Sequence, residues 1–341
     1  MRTLSNAQLY TPSQGFDAGQ DLLRGGRIDR IVWKNEDGAR QMVLDRIDLD
    51  PGVFLHSLRY SPYQTYDLLT AQEPRFVRRS DAEEGSDITT GPGEDLVRVA
   101  RGGSCIKDRG GADTYRGNAD AHDTVSYDFW GQGPRIPSSG TDVNLKRGRV
   151  DGPDGETDRL ISIEELRGTI LDDVFRGDGQ DNIFHGLRGD DRLVDRGGFD
   201  IASYQREEAD GGGDGIIANL ARGTVRDGFG TTDRLKSIEG ILGSKGDDVM
   251  RDNRGDNYFD GDDGDDRIFM KVGDDRARGD SGADTFIFLS RRFGHDKIDD
   301  FDPDEGDRID IRVAASMDDQ NVFTDENGTG IALDDDNDVF L

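Results

Sequence analysis

The chain has 341 residues, a formal net charge of −29 and only 33% hydrophobic residues. That balance argues against a nucleic-acid surface, since phosphates would be repelled, and disfavours an anionic membrane face. A multivalent cation is the natural partner. High charge with little apolar material ordinarily leaves a chain disordered. Here, however, the 47 glycines recur at a fixed spacing, and the period outweighs the composition. The single cysteine, Cys105, permits no intrachain disulfide. The first ten residues hold no apolar core of signal-peptide length, and no apolar run reaches membrane-spanning length.

Residues 1–80 form a small β-rich segment in which Arg27–Trp33, Gln41–Leu49 and Val53–Tyr60 have strand character. Tyr60, Tyr63 and Tyr66 gather around Pro62. Residues 81–167 hold a degenerate repeat array, roughly Thr90 to Val125, followed by a β-insert. The array pairs Gly93 with Asp95, Gly102 with Ser104 and Gly111 with Asp113, and has an irregular unit around Asp123. Ser104 lacks a carboxylate, so fewer or weaker ion sites are expected there.

Residues 168–242 open with four nine-residue units, Gly168–Arg176, Gly177–His185, Gly186–Val194 and Asp195–Ser203. Their sixth places are Asp173, Asn182, Asp191 and Asp200, and their eighth places are Phe175, Phe184, Leu193 and Ala202. The ninth-place His185 is expected to face solvent. Residues 243–341 open with five more units, from Gly243 to Ile287. Here the fourth place is Gly246, Gly255, Gly264, Gly273 and Gly282. The sixth is Asp248, Asn257, Asp266, Asp275 and Asp284, and the eighth is Met250, Phe259, Ile268, Ala277 and Phe286.

Each unit is a glycine turn, a carboxylate or carboxamide, and one inward strand residue. Two units complete a circuit, so like turns stack every 18 residues as a parallel β-roll. Asp173 then lies over Asp191, Asn182 over Asp200, Asp248 over Asp266 and Asp284, and Asn257 over Asp275. Stacked carboxylates repel at close range unless a cation lies between them. Calcium, which takes six to eight oxygens from carboxylates and carbonyls, suits such a stack. Nine units in fixed phase are more than a set of solvated Gly-Asp turns.

A longer duplication lies between the arrays. Asn144-Leu145, Arg147-Gly148, Thr157-Asp158-Arg159-Leu160 and Ser162-Ile163-Glu164 recur 75 residues later as Asn219-Leu220, Arg222-Gly223, Thr232-Asp233-Arg234-Leu235 and Ser237-Ile238-Glu239. The copies open with Ser126-Tyr127 and Ser203-Tyr204 and read as hairpins feeding the next array. From Thr285 onward, Phe286-Ile287-Phe288, Asp296–Phe301 and Asp307–Ile311 are expected to cap the last rung.

These arrays resemble the RTX, or haemolysin-type, calcium-binding repeats. The β-inserts and the cap are similar to the C-terminal domain of serralysin-type metalloproteases. The resemblance covers roughly Thr90 to Leu341. It implies an all-β protein of tandem parallel β-roll modules holding several Ca2+ ions. Its implied ligands are the sixth-place residues named above, together with Gly177, Gly186, Gly189, Gly198, Gly246, Gly255, Gly261, Gly264, Gly273, Gly279 and Gly282, and Asp300 in the cap. It further implies export from a Gram-negative bacterium through a type I ABC exporter and folding in extracellular calcium. The ending Asp338-Val339-Phe340-Leu341 is similar to the serralysin export signal, the alternative being a last cap strand.

The chain contains no His-Glu-x-x-His zinc motif; His56, His122, His185 and His295 lie far apart. Gly102-Gly103-Ser104-Cys105-Ile106 lacks the closing glycine of a nucleophile elbow. The expectation is therefore a secreted calcium-binding repeat protein, with no catalytic residue assigned. Two alternatives stand beside it. One is an adhesin or polysaccharide module whose head, around Tyr60–Tyr66, binds an extracellular glycan or cell-surface ligand. The other is a secreted hydrolase or epimerase-like protein with an unrecognised N-terminal site.

Overall fold

Glycine turns every nine residues leave room for strands of only about three residues between them, and the structure is built from such strands. A computed structural model describes residues 7–10, 28–34, 40–49, 75–80, 87–91, 93–99, 103–119, 122–128, 137–205, 207, 211–290, 292–311, 322–325, 328–334 and 337–340. Val53–Tyr60, His56, the Tyr60–Tyr66 cluster, Gly102 and Leu341 lie outside the described residues. The described chain is nearly all β, with long parallel sheets, an arrangement consistent with a parallel β-roll. It divides into two units, Met1–Arg167 and Gly168–Leu341.

In the first unit, successive strands alternate between two sheets. Arg75–Ser80, Leu96–Val99, Thr114–Arg116 and Thr157–Ile161 pair in parallel in one. Asp87–Thr89, Cys105–Lys107, Thr124–Ser126 and Glu165–Arg167 do so in the other. The hairpin Asp142–Asn144/Arg149–Asp151 adds antiparallel strands beside Thr157–Ile161. Ile28–Lys34 and Arg40–Leu49, close to the strands expected there, pair antiparallel with each other. Arg40–Leu49 in turn pairs with Arg75–Ser80, and Ala7–Tyr10 lies parallel to Ile28–Lys34.

The second unit repeats the scheme over more tiers. One sheet runs Val174–Arg176, Arg192–Val194, Thr232–Lys236, the hairpin strands Thr224–Arg226 and Ile217–Asn219, then Val249–Arg251, Arg267–Met270, Thr285–Phe288 and Arg308–Ile311. The other runs Ile183–His185, Ile201–Ser203, Gly240–Leu242, Tyr258–Asp260, Arg276–Arg278 and His295–Ile298. Asn337–Phe340 then pairs with both His295–Ile298 and Gly328–Asp334.

The core is the eighth-place row. Phe175 pairs with Leu193, Phe184 with Ala202, Met250 with Ile268 and Phe259 with Ala277, and each of these side chains is fully buried. Phe175 and Phe184 come from opposite sheets and meet at 5.8 Å between ring centroids. Most of the three-residue repeat strands bury a single apolar side chain, which makes this core thin, so order must also come from the turns.

Candidate metal centre in the turns

The sixth-place carboxylates face inward and are almost fully buried: Asp173, Asp200, Asp248, Asp266 and Asp284 have no exposed surface. Each tier's sixth-place amide donates to Oδ1 of the sixth-place side chain 18 residues on. Asp173 donates to Asp191 at 2.7 Å, Asn182 to Asp200 at 2.9 Å, Asp248 to Asp266 at 2.8 Å, Asn257 to Asp275 at 2.8 Å and Asp266 to Asp284 at 2.9 Å. The stacking expected from the 18-residue circuit is therefore present as a hydrogen-bonded ladder.

The ladder extends beyond the repeats, at spacings the nine-residue frame does not mark. Asp191 donates to Asp233 across 42 residues, Asp113 to Asp158 across 45, Asp200 to Glu239 across 39 and Asp123 to Glu164 across 41. In the cap, Asp275 donates to Asp296 and Asp284 to Asp307. The duplicated Thr-Asp-Arg-Leu and Ser-Ile-Glu segments thus supply the next rungs of both columns. Tyr127 donates to Asp158 Oδ2, and Tyr204 donates to Asp233 Oδ2, each at 2.9 Å. That explains why each copy opens with Ser-Tyr.

Oδ2 is the oxygen that remains. In Asp173 and Asp248, at the starts of their runs, it accepts an amide from Thr169 or Ser244. In Asp191, Asp200, Asp266, Asp275, Asp284 and Asp296 it is buried with no hydrogen-bond partner among the described residues. A buried, unpartnered carboxylate oxygen is costly, and six along the two columns form a donor set suited to a cation.

The glycines shape the space around these oxygens. A Cβ on Gly261 would lie 1.9 Å from Asp266 Oδ2 and 2.6 Å from the Gly279 carbonyl oxygen, and Gly243 faces Asp248 Oδ2 and the Gly261 carbonyl oxygen in the same way. First-place glycine therefore lets a carboxylate oxygen and a carbonyl from the next tier converge. Gly168, Gly186 and Gly279 each face an Asp Oδ2, and Gly177 faces Asn182 Oδ1 and Asp195 Oδ1. Fourth-place glycines Gly189, Gly198, Gly264, Gly273 and Gly282 pack their turns onto the backbone of the tier before, where Gly246 and Gly255 lie. At Gly282 a Cβ would lie 1.9 Å from the Gly264 carbonyl oxygen, with φ at +148°.

Burial pushes the carboxyl of Asp266 up to about 9, assisted by the charges of Asp248 and Asp284. It also pushes Asp275 up to about 8 and Asp296 up to about 9. Asp191 moves up for the same reason, with Asp233 and Asp173 adding repulsion. These groups resist ionisation in the folded chain unless positive charge is supplied.

Asp300, expected as a ligand, accepts amides from Gly279 at 3.0 Å and Asp280 at 2.7 Å. It caps the turn beside the Asp284 tier. His185, expected at the surface, is buried. The last residue is likewise covered in Ile201–Ser203 and Tyr258–Asp260 of the same sheet, though not in Arg276–Arg278, so alternation of faces does not hold at these strand ends.

In the first array, where fewer or weaker sites are expected, the structure brings together one acidic cluster that the repeat frame does not mark. Asp108, Asp113 and Asp158 are buried, bring ligand oxygens within 4.8 Å of one another and could hold a metal ion. Asp108 stands where most units have the first-place glycine, which adds a carboxylate to this tier. The Tyr115 hydroxyl donates to Asp108 Oδ2 at 2.6 Å and also contacts Asp113 Oδ2. Burial, with the charges of Asp108 and Asp95 adding repulsion, pushes the Asp113 carboxyl up to about 10.

The chain matches no protein-family model, and no curated protein matches it.

Proposed function

We infer that this is a secreted calcium-binding repeat protein whose order depends on the ion. The observation that carries this is the row of buried Oδ2 atoms without partners, with first-place glycines facing those of Asp191, Asp266 and Asp284 and, at Gly261, admitting the Gly279 carbonyl oxygen beside Asp266. All-oxygen, anionic donor sets favour a hard divalent cation. The residues that would hold it are Asp191, Asp266, Asp275, Asp284 and their tier neighbours, with the Asp108–Asp113–Asp158 cluster as a further site. When bound, the ion supplies the charge that lets these carboxylates stay ionised inside the fold.

Export through a type I exporter into a calcium-rich medium accords with this reading. Micromolar-or-lower cytosolic calcium would leave sites of roughly 10⁻⁴–10⁻³ M affinity empty, and millimolar calcium outside would fill them. The test is far-UV circular dichroism of the full chain during a calcium titration at neutral pH. The expected result is a large gain of β signal at millimolar calcium, smaller with magnesium, reversed by chelator. A full β signal in chelator would sink the proposal.

A further inference from the structure

The hairpin inserted in the second unit creates a surface of opposite character to the rest of the chain. A concavity of about 360 Å³ lies where the hairpin meets the sheet, and Arg192, Arg222, Arg234 and Lys236 line it, with Thr224 on its wall and Leu235 in its lining. All four cations are exposed, and no ion pair joins them to a described acidic residue. In a chain of net charge −29, four cations around a hollow without a carboxylate in its lining are a marked local reversal.

Backbone geometry fixes their spacing. Arg192 and Arg234 are direct partners on adjacent parallel strands, about 4.8 Å apart. Lys236 follows Arg234 by two residues on the same face, about 6.6–6.8 Å along the strand. Arg222 is set by the hairpin turn: its amide donates to Asn219 Oδ1 at 2.9 Å. The next residue, Gly223, has φ +64° and no room for a Cβ, which would lie 2.4 Å from the Leu235 carbonyl oxygen. The turn is thus clamped onto the strand that carries Arg234 and Lys236.

The duplicate hairpin in the first unit shows that the fold does not require this charge. There Thr114 pairs with Arg159 where Arg192 pairs with Arg234, and Ile161 stands in place of Lys236. Arg149, in place of Thr224, is paired with Asp151 at 2.5 Å. The same scaffold, with Gly148 packed 2.4 Å from the Leu160 carbonyl oxygen by the same measure, forms with two of the four cations replaced.

We propose that the concavity lined by Arg192, Arg222, Arg234 and Lys236 is a binding site for an acidic saccharide, whose carboxylate or sulfate groups, spaced by about one sugar, meet the neighbouring guanidinium and ammonium groups. Guanidinium forks match planar oxyanions. The Thr224 hydroxyl suits the hydroxyls of a sugar, and the half-buried Val194 in the lining suits its ring face. Extended polyanions such as nucleic acids and anionic membranes would meet the surrounding negative charge. The site does not depend on the calcium reading, except that the chain must be folded when tested.

The experiment is calorimetric titration of the full chain, in calcium buffer and with its β signal verified, using a short uronate oligomer, a sulfated oligosaccharide, a neutral oligosaccharide of equal length and inorganic sulfate. The expected result is that an acidic oligomer binds at least tenfold more tightly than inorganic sulfate and that the neutral one does not bind. The Arg192→Thr/Lys236→Ile variant, which carries the residues of the other copy, should lose at least tenfold in affinity, unrestored by extra calcium. Lys236→Gln alone should lose about threefold, and Arg159→Gln in the first unit should lose nothing. Equal binding by the double variant, or sulfate binding as tightly as the oligomers, would overturn the assignment.

Discussion

A sixth-place carboxylate has two oxygens with different duties. Oδ1 accepts the amide of the preceding tier, and Oδ2 faces the glycine-lined space, so substitutions separate the duties. Asp266→Asn keeps an Oδ1 acceptor for the Asp248 amide but removes a charge whose carboxyl is pushed up to about 9. The metal-free chain should gain on the order of 2–4 kcal/mol of stability near neutral pH, while calcium affinity at that tier falls several-fold. Urea denaturation in chelator, paired with a calcium titration, reads both effects.

The same raised values set a pH dependence. A carboxyl raised in the fold above its ordinary 3.8 contributes stability that is complete below that value and lost as pH rises through the folded value, here about 8 to 9 for Asp275 and Asp266. The chelated chain should therefore show more β signal at pH 4 than at pH 8.5. Calcium affinity, which needs the ionised form, should increase from pH 6 to pH 9, with protons released on binding.

At the scale of the element, a three-residue strand and a six-residue turn form a unit only if the turn tolerates close approach. Gly261→Ala would place a methyl 1.9 Å from Asp266 Oδ2, and it should abolish ion binding at that tier and lower the calcium-dependent melting temperature markedly. Gly155→Ala, at φ +85° but with open space around it, should cost only about 1 kcal/mol. Thermal melts of the two variants in calcium make the comparison. The eighth-place core was legible in the sequence because one apolar residue recurs in each unit, as with Phe175, Leu193, Met250 and Ile268. The rungs supplied by Asp158, Asp233, Glu164 and Glu239 were not, because the hairpins shift them out of the 18-residue frame. Their recurrence 75 residues apart was visible, but only the fold shows that a residue 42 or 45 positions away lies in the next tier. Asp300 was legible as a carboxylate beside the array, but its amide donors, Gly279 and Asp280, lie 21 and 20 residues back, where no sequence period points to them.

Across the whole molecule, ladder and charge act together. Every described tier of the second unit from Asp248 to Asp307 is joined in one direction, its amide held by a side chain that comes later in the sequence. The exposed fifth-place oxygens run the other way: Asp247 accepts from Asp265, and Asp265 from Ala283. Removing residues 292–341 takes Asp296 and Asp307 away and leaves the buried amides of Asp275 and Asp284 without acceptors. Such a truncated chain should need considerably more calcium to fold than one lacking residues 1–80. Calcium midpoints for the two truncations, followed by circular dichroism, test this.

That one-way ladder has a consequence for how order spreads. The buried sixth-place amide of a turn finds its acceptor only when the turn after it is present, so order in the buried column should spread from the distal end back toward the first residue, while the fifth-place links at the surface tie each turn to the one before. Each newly seated turn becomes the template for the one upstream, and a chain entering a calcium-rich medium tail first would close link by link, like a zip fastener drawn from its stop.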